Sequence, residues 1–108
     1  MARYKNSIEA ELTAETAANL GRSGKRLQKA LDALKKFDAE VATGKSRRAD
    51  ASTRARLVEE SADAFWGYVV QRELLGVQDA EYIANEYGVP AEVRAIAGTI
   101  AVKGNQEK

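Results

Sequence analysis

Apolar residues recur through the first third of the chain at helical spacing. The intervals between them are three, four, seven or eight residues, which place them on one face of an α-helix. The residues in this apolar row are Ile8, Leu12, Leu20, Leu27, Leu31, Leu34, Phe37 and Val41. The pattern predicts one long amphipathic helix over residues 7–43.

Gly21 and Gly24 lie inside this predicted helix. A glycine in a helix interior costs about 1 kcal/mol relative to alanine, so a break into two helices is the alternative. We favour a continuous helix, because the apolar spacing keeps its phase across both glycines. In a continuous helix, the missing side chains would let a neighbouring backbone approach closely.

A second long helix is predicted after a loop at residues 43–51. Gly44 is suited to end the first helix in a left-handed conformation, and Asp50 or Ser52 is suited to cap the next one. The second helix is expected over residues 52–75. Its apolar residues cover more than one face, which predicts a position at the centre of the fold. The expected core anchors are Phe65, Trp66, Val69 and Val70.

Two short helices are predicted near the end of the chain. Asp79 is a suitable cap for a helix over residues 80–87, which Gly88 would end. Pro90 is favoured at the first position of a final helix over residues 90–98.

The predicted architecture is therefore all-α, with a long helical hairpin followed by two short helices. A chain of 108 residues is the size of a single domain. We expect flexible tails at residues 1–6 and 103–108.

The composition indicates how large a hydrophobic core a single chain can form. Hydrophobic residues make up 44% of the chain, but much of that share is alanine, which buries little area. A thin core favours completion by a second chain, so we expect a homodimer or another protein partner. The expected self-association face is part of the apolar row of the first helix: Leu20, Leu27, Leu31, Leu34 and Phe37.

Charge is unevenly distributed along the chain. Residues 1–57 carry 13 Lys or Arg and 7 Asp or Glu, whereas residues 58–108 carry 4 and 9. The simplest interpretation is that the two halves attract each other. The alternative is a nucleic-acid-associated protein that binds through the basic region at 45–56, although no aromatic residue is interleaved there. Its candidate contacts are Lys45, Arg47, Arg48, Arg54 and Arg56.

The chain contains no cysteine and no histidine, which removes much of the usual chemistry. Thiolate nucleophiles, Cys/His zinc sites and a histidine base are excluded. Glu59, Glu60 and Asp63 cluster on the second helix, but the usual di-iron bundle pairs such acids with histidines. We predict no catalytic residue, no metal and no cofactor, and hence no enzyme.

Residues 78–97 match part of a helix-turn-helix through Ala84, Gly88 and Val89. The match fails after Val89, because the next core position falls on Val93, one residue earlier than in the common register of the motif. The would-be recognition helix also carries only one base and one acid. We therefore interpret this segment as a helical corner that packs on the hairpin.

The stretch that runs from Gln71–Gly76 through Tyr87–Arg94, preceded by Trp66, resembles a segment of small, uncharacterised bacterial proteins, a domain family of unknown function. The resemblance covers about a third of the chain. The resemblance implies a bacterial helical protein of similar size and no particular activity. No secretory signal and no run of about 20 apolar residues is present, so we expect a cytoplasmic protein without membrane association.

Overall fold

The described residues of the protein fold into four α-helices and contain no strand. The computed structural model describes the backbone of residues 2–44, 51–76 and 79–106, and the side chains of residues 14–44, 51–76 and 79–100. The all-α prediction is confirmed. The helices are α1 (Ala2–Ala42), α2 (Ala51–Leu74), α3 (Ala80–Tyr87) and α4 (Ala91–Gln106).

The first helix is continuous through Gly21 and Gly24, as its apolar spacing predicts. Two of the predicted bounds are corrected. α1 begins at Ala2, and α4 runs through Gly98 to Gln106 instead of ending at residue 98. Both predicted tails therefore contain helical residues, and their flexibility in solution stays a prediction.

The helix ends follow local sequence signals. Gly44, Gly76 and Gly88 all have positive φ angles, between 65° and 71°, which an L side chain rarely adopts. Asp79 caps α3 by accepting a hydrogen bond from the backbone of Tyr82 at 2.9 Å. Asp50, one of the two candidate caps for α2, lies outside the described residues.

The hairpin closes around apolar residues of α1 and α2. Leu27, Leu31 and Leu34 of α1 are buried in the same cluster as Phe65 and Val69 of α2. α2 also contacts α3 and α4, which confirms its predicted place at the centre of the fold. The core is completed by Val58, Ala62, Ala64, Tyr68, Ile83, Ala84, Val89, Val93 and Ala97.

This packing corrects the expected self-association face. Leu27, Leu31 and Leu34 lie in the core of the single chain, where α2 already covers them, so they offer no surface to a second copy. Leu20 and Phe37, at either end of the row, are only partly buried. The spacing identified a buried face but could not say which chain buries it.

The four expected core anchors divide into two pairs. Phe65 and Val69 are buried, whereas Trp66 and Val70 are only partly buried. Each partly buried residue follows a buried one directly and is rotated about 100° around the helix, towards the edge of the core. Phe65 and Val69 thus lie within the core, and Trp66 packs against it from the edge.

The two short helices form a corner that packs on α2. Ala84, Val89 and Val93, which the helix-turn-helix comparison singled out, are all buried against the core. Arg94 ties the corner together, because its guanidinium donates to the carbonyl of Val89 at 3.0 Å and to Oδ1 of Asn85 at 3.2 Å.

Candidate functional site

The hairpin has unequal arms and therefore one open end. α1 has 41 residues and α2 has 24. At about 1.5 Å per residue, α1 is longer by roughly 25 Å. The loop that follows Gly44 joins the arms at the other end, so the excess length lies at the N-terminal end of α1. Its backbone continues past the last turn of α2.

An apolar groove of about 420 Å³ lies at this open end, between α1 and the last turn of α2. Leu74 is 81% exposed and Leu75 is 45% exposed, and both line the groove together with the partly buried Leu20. Two adjacent exposed leucines at a helix end are unusual where no partner covers them. The remaining lining residues are Thr16, Asn19, Arg22, Ser23 and Gln71.

Leu74 and Leu75 were not among the residues predicted from the sequence to form an interface. The available signal was their position: a Leu-Leu pair directly before Gly76, at the end of an apolar helix. Only the relative lengths of the two helices reveal that the pair is uncovered.

A polar cluster packs beneath Gly24, one turn of α1 from Leu20 towards the closed end of the hairpin. The hydroxyl of Tyr87 donates to the hydroxyl of Tyr68 at 3.2 Å, and Nη1 of Arg72 donates to the same oxygen at 2.8 Å. The two rings meet edge to face, with centroids 5.3 Å apart. The guanidinium of Arg72 also stacks 5.5 Å from the centre of the Tyr68 ring. The cluster fastens α3 to the hairpin.

This cluster corrects the expected role of the two glycines. We expected them to admit a neighbouring backbone, but Gly24 instead accommodates the Tyr87 hydroxyl and the Tyr68 ring. Nothing approaches the position of a side chain at Gly21. Burial, with the hydrogen-bonded Tyr68 as a second cause, raises the pKa of Tyr87 to about 12. The phenol is therefore protonated at neutral pH and is a poor nucleophile or base.

A second polar cluster joins three helices around Arg54. The guanidinium donates to both carboxylate oxygens of Asp38 on α1, at 2.9 and 3.1 Å, and to both of Glu92 on α4, at 2.8 and 2.6 Å. Bidentate pairing of this kind is the strong form of an Arg–carboxylate contact. We refer to Arg54, Asp38 and Glu92 as the three-helix clamp.

The clamp makes stability depend on pH. Hydrogen bonds from Arg54 hold the pKa values of Asp38 and Glu92 below their ordinary range, against a smaller opposing effect of burial. A carboxyl with a lowered pKa in the folded state contributes stability above its ordinary, unfolded pKa. That contribution is lost as pH falls through the lowered, folded pKa.

The predicted basic cluster is not a single free surface. Arg54 belongs to the three-helix clamp, and Arg56 lies 3.7 Å from Glu60 on the same helix. Lys45, Arg47 and Arg48 lie outside the described residues. The three candidate acids on α2, Glu59, Glu60 and Asp63, are all exposed.

Two further properties concern the parts of the chain that are described. There, no group of three or more acidic, histidine or cysteine residues is placed to hold a metal ion. No helix among the same residues is both long and apolar enough to cross a membrane.

These features define the class of the protein, an all-α helical hairpin capped by a helical corner. A family model described as "Family of unknown function (DUF6665)" matches residues 3–106, and the chain belongs to this family. The match covers nearly the whole chain, not only the third that carries the resemblance noted above, and it implies no activity. No curated protein and no solved structure matches the chain.

Proposed function

We propose that this protein is a non-enzymatic helical module that forms a homodimer through the open end of its hairpin. One observation carries the proposal: Leu74 and Leu75 are exposed beside Leu20, where α2 ends and α1 continues. Burying these leucines against a second copy would contribute free energy in proportion to the apolar area removed from water.

The sequence of α1 supports a second copy as the occupant. Ile8 and Leu12 continue the apolar spacing of α1 from Leu20 towards the N-terminus. A two-fold arrangement would set the projecting part of each α1 across the open end of the other copy. Each hairpin would then supply the packing partner that its own shorter arm lacks.

A non-catalytic role fits the chemistry of the side chains. The sequence has no histidine or cysteine, and the Tyr87 phenol is held in its protonated form. Arg54 and its two carboxylates neutralise one another and join helices. We further propose a bacterial, cytoplasmic setting, which rests on the family resemblance and on a composition without cysteine.

Sedimentation at micromolar concentration tests the dimer. We expect a species of twice the 11.7 kDa chain mass, and a shift to monomer in Leu74→Glu and Leu75→Glu variants. Both side chains are exposed, so the fold should be unaffected. Ile96→Glu is the matched control, because Ile96 is 38% exposed and lines a groove beside Arg54, near the closed end.

A clean monomer at all concentrations would refute the proposed dimer. Dissociation by Ile96→Glu, without any effect of the two leucine variants, would place the interface elsewhere on the molecule.

A further inference from the structure

The outer face of α1, opposite the core, carries a row of cations. With 3.6 residues per turn, Arg22, Lys25, Lys29 and Lys36 fall on the side away from the buried leucines of α1. Arg26 lies at the flank of this row, with its guanidinium near Gly67 of α2. All five cations are exposed. From Arg22 to Lys36 the row is about 21 Å long. We call these five residues the α1 basic face.

The charges of this face are not neutralised by the rest of the described chain. Among the described residues, the salt bridges join Arg54 to Asp38 and Glu92, and Arg56 to Glu60, and none involves the α1 basic face. The one acid within the row, Asp32, lies at its edge and accepts a hydrogen bond from Gln28 at 2.9 Å. Arg22 donates to Asn19, which is uncharged.

We propose that the α1 basic face binds the phosphate backbone of double-stranded DNA. Duplex DNA carries about one negative charge per 1.7 Å of its axis. Over the length of the α1 basic face, about 21 Å, the duplex therefore presents more phosphates than the five cations require. A single α-helix fits the major groove of B-form DNA, whereas the deep, narrow groove of duplex RNA excludes it.

The residue composition of the α1 basic face favours duplex DNA over single strands and anionic membranes. No aromatic residue lies among its positions, so it lacks the stacking platform that single strands require. Its only apolar residue between positions 22 and 36 is Ala33, too small to anchor an amphipathic helix in a membrane interface. The proposed contacts are to phosphates, which carry no sequence information, so binding is independent of sequence.

The salt dependence of binding tests the inference. Five phosphate contacts predict that log K falls with log salt at a slope of about −4.5, or about 500-fold in affinity between about 50 and 200 mM NaCl. The probe is a fluorescently labelled random duplex of about 20 base pairs, followed by anisotropy. In an Arg22→Gln/Lys25→Gln/Lys29→Gln variant the slope should fall to about −1.8, or about 12-fold over the same range.

Lys45→Gln/Arg47→Gln/Arg48→Gln is the matched control, since it removes the same charge from the other basic region. It should leave the slope close to that of the unmodified protein, with far-UV circular dichroism confirming that both variants fold. The inference is overturned by absence of duplex binding at low salt, by a larger loss in the loop variant, or by equal losses in both. Tighter binding of a single strand or of anionic lipid vesicles than of the duplex overturns it too.

Arg22 lines the open-end groove and also belongs to the α1 basic face, whereas the other four cations of the face do not line that groove. A neutral Leu74→Gln variant removes apolar area from the open end without placing a new charge beside Arg22. As a monomer, this variant should still bind DNA with a steep dependence on salt. Failure of one proposal therefore leaves the other open to its own measurement.

Discussion

Gly21 and Gly24 lie about one turn apart on α1, and the structure predicts opposite outcomes for alanine at the two positions. A Cβ atom at Gly21 would meet no atom within 4 Å. A Cβ atom at Gly24 would lie 3.0 Å from the hydroxyl oxygen of Tyr87 and 3.4 Å from Cε1 of Tyr68. The first position is exposed and the second is buried.

The expected energies follow from these surroundings. Gly21→Ala should stabilise the protein by about 1 kcal/mol, because alanine loses less backbone entropy in a helix. Gly24→Ala has the same gain but displaces the Tyr87 hydroxyl from its hydrogen bond, which costs about 1 kcal/mol. Overpacking adds about 1 to 3 kcal/mol. The net result is a destabilisation of about 1 to 3 kcal/mol.

Urea unfolding at one fixed protein concentration, followed by circular dichroism, measures both effects. In thermal unfolding followed by the same signal, the midpoints of the two variants should differ by about 10 °C or more. Tyr87→Phe removes the oxygen that the new Cβ meets, so it should make Gly24→Ala much less harmful in a double-mutant cycle. Equal stabilisation by both alanines would refute the proposed contact between Gly24 and the tyrosines.

The remaining predictions concern polar groups in and around the core. Arg54→Gln should lower the thermal midpoint at neutral pH, and the deficit should shrink at high salt and as pH falls through the lowered pKa values of Asp38 and Glu92. A deficit of the same size in acid would contradict the three-helix clamp. Ser61 is fully buried and its hydroxyl has no hydrogen-bond partner among the described residues. Ser61→Ala should therefore stabilise the fold by about 1 kcal/mol in the same unfolding assay, and a destabilisation would mean that the hydroxyl is satisfied.

Features governed by local interactions could be predicted from the sequence. The continuity of α1 follows from an apolar row that repeats every three or four residues, and its phase outweighs the cost of two glycines. The left-handed glycines at 44 and 88 depend only on the helix immediately before them. The end of α4 could not be predicted from Gly98, because a glycine ends a helix only where the surrounding chain does not continue it.

Features that require knowledge of distant partners could not be predicted. Periodicity marks Leu27, Leu31 and Leu34 as a buried face, but only the fold shows that α2 covers them. Arg54 looked like one member of a basic cluster, yet its hydrogen-bond partners lie 16 and 38 residues away in the sequence. The exposure of Leu74 depends on where α2 stops relative to α1.

The charge asymmetry of the chain has two different physical consequences, and the distinction between them bears on function. Attraction between the basic first half and the acidic second half is realised at two described contacts, where Arg54 pairs with Glu92 and Arg56 lies 3.7 Å from Glu60. If the asymmetry served folding alone, the other cations of the first half would face acids of the second. Instead, most of the α1 basic face points away from α2, and only Arg26 lies near it, beside Gly67. No described acid of the second half forms a salt bridge with the face. Like charges spaced three and four residues apart on a helix repel each other, so this arrangement costs stability in the free protein. An external polyanion would relieve that repulsion, which is why the α1 basic face, and not the loop after Gly44, is the better place to look for a binding partner.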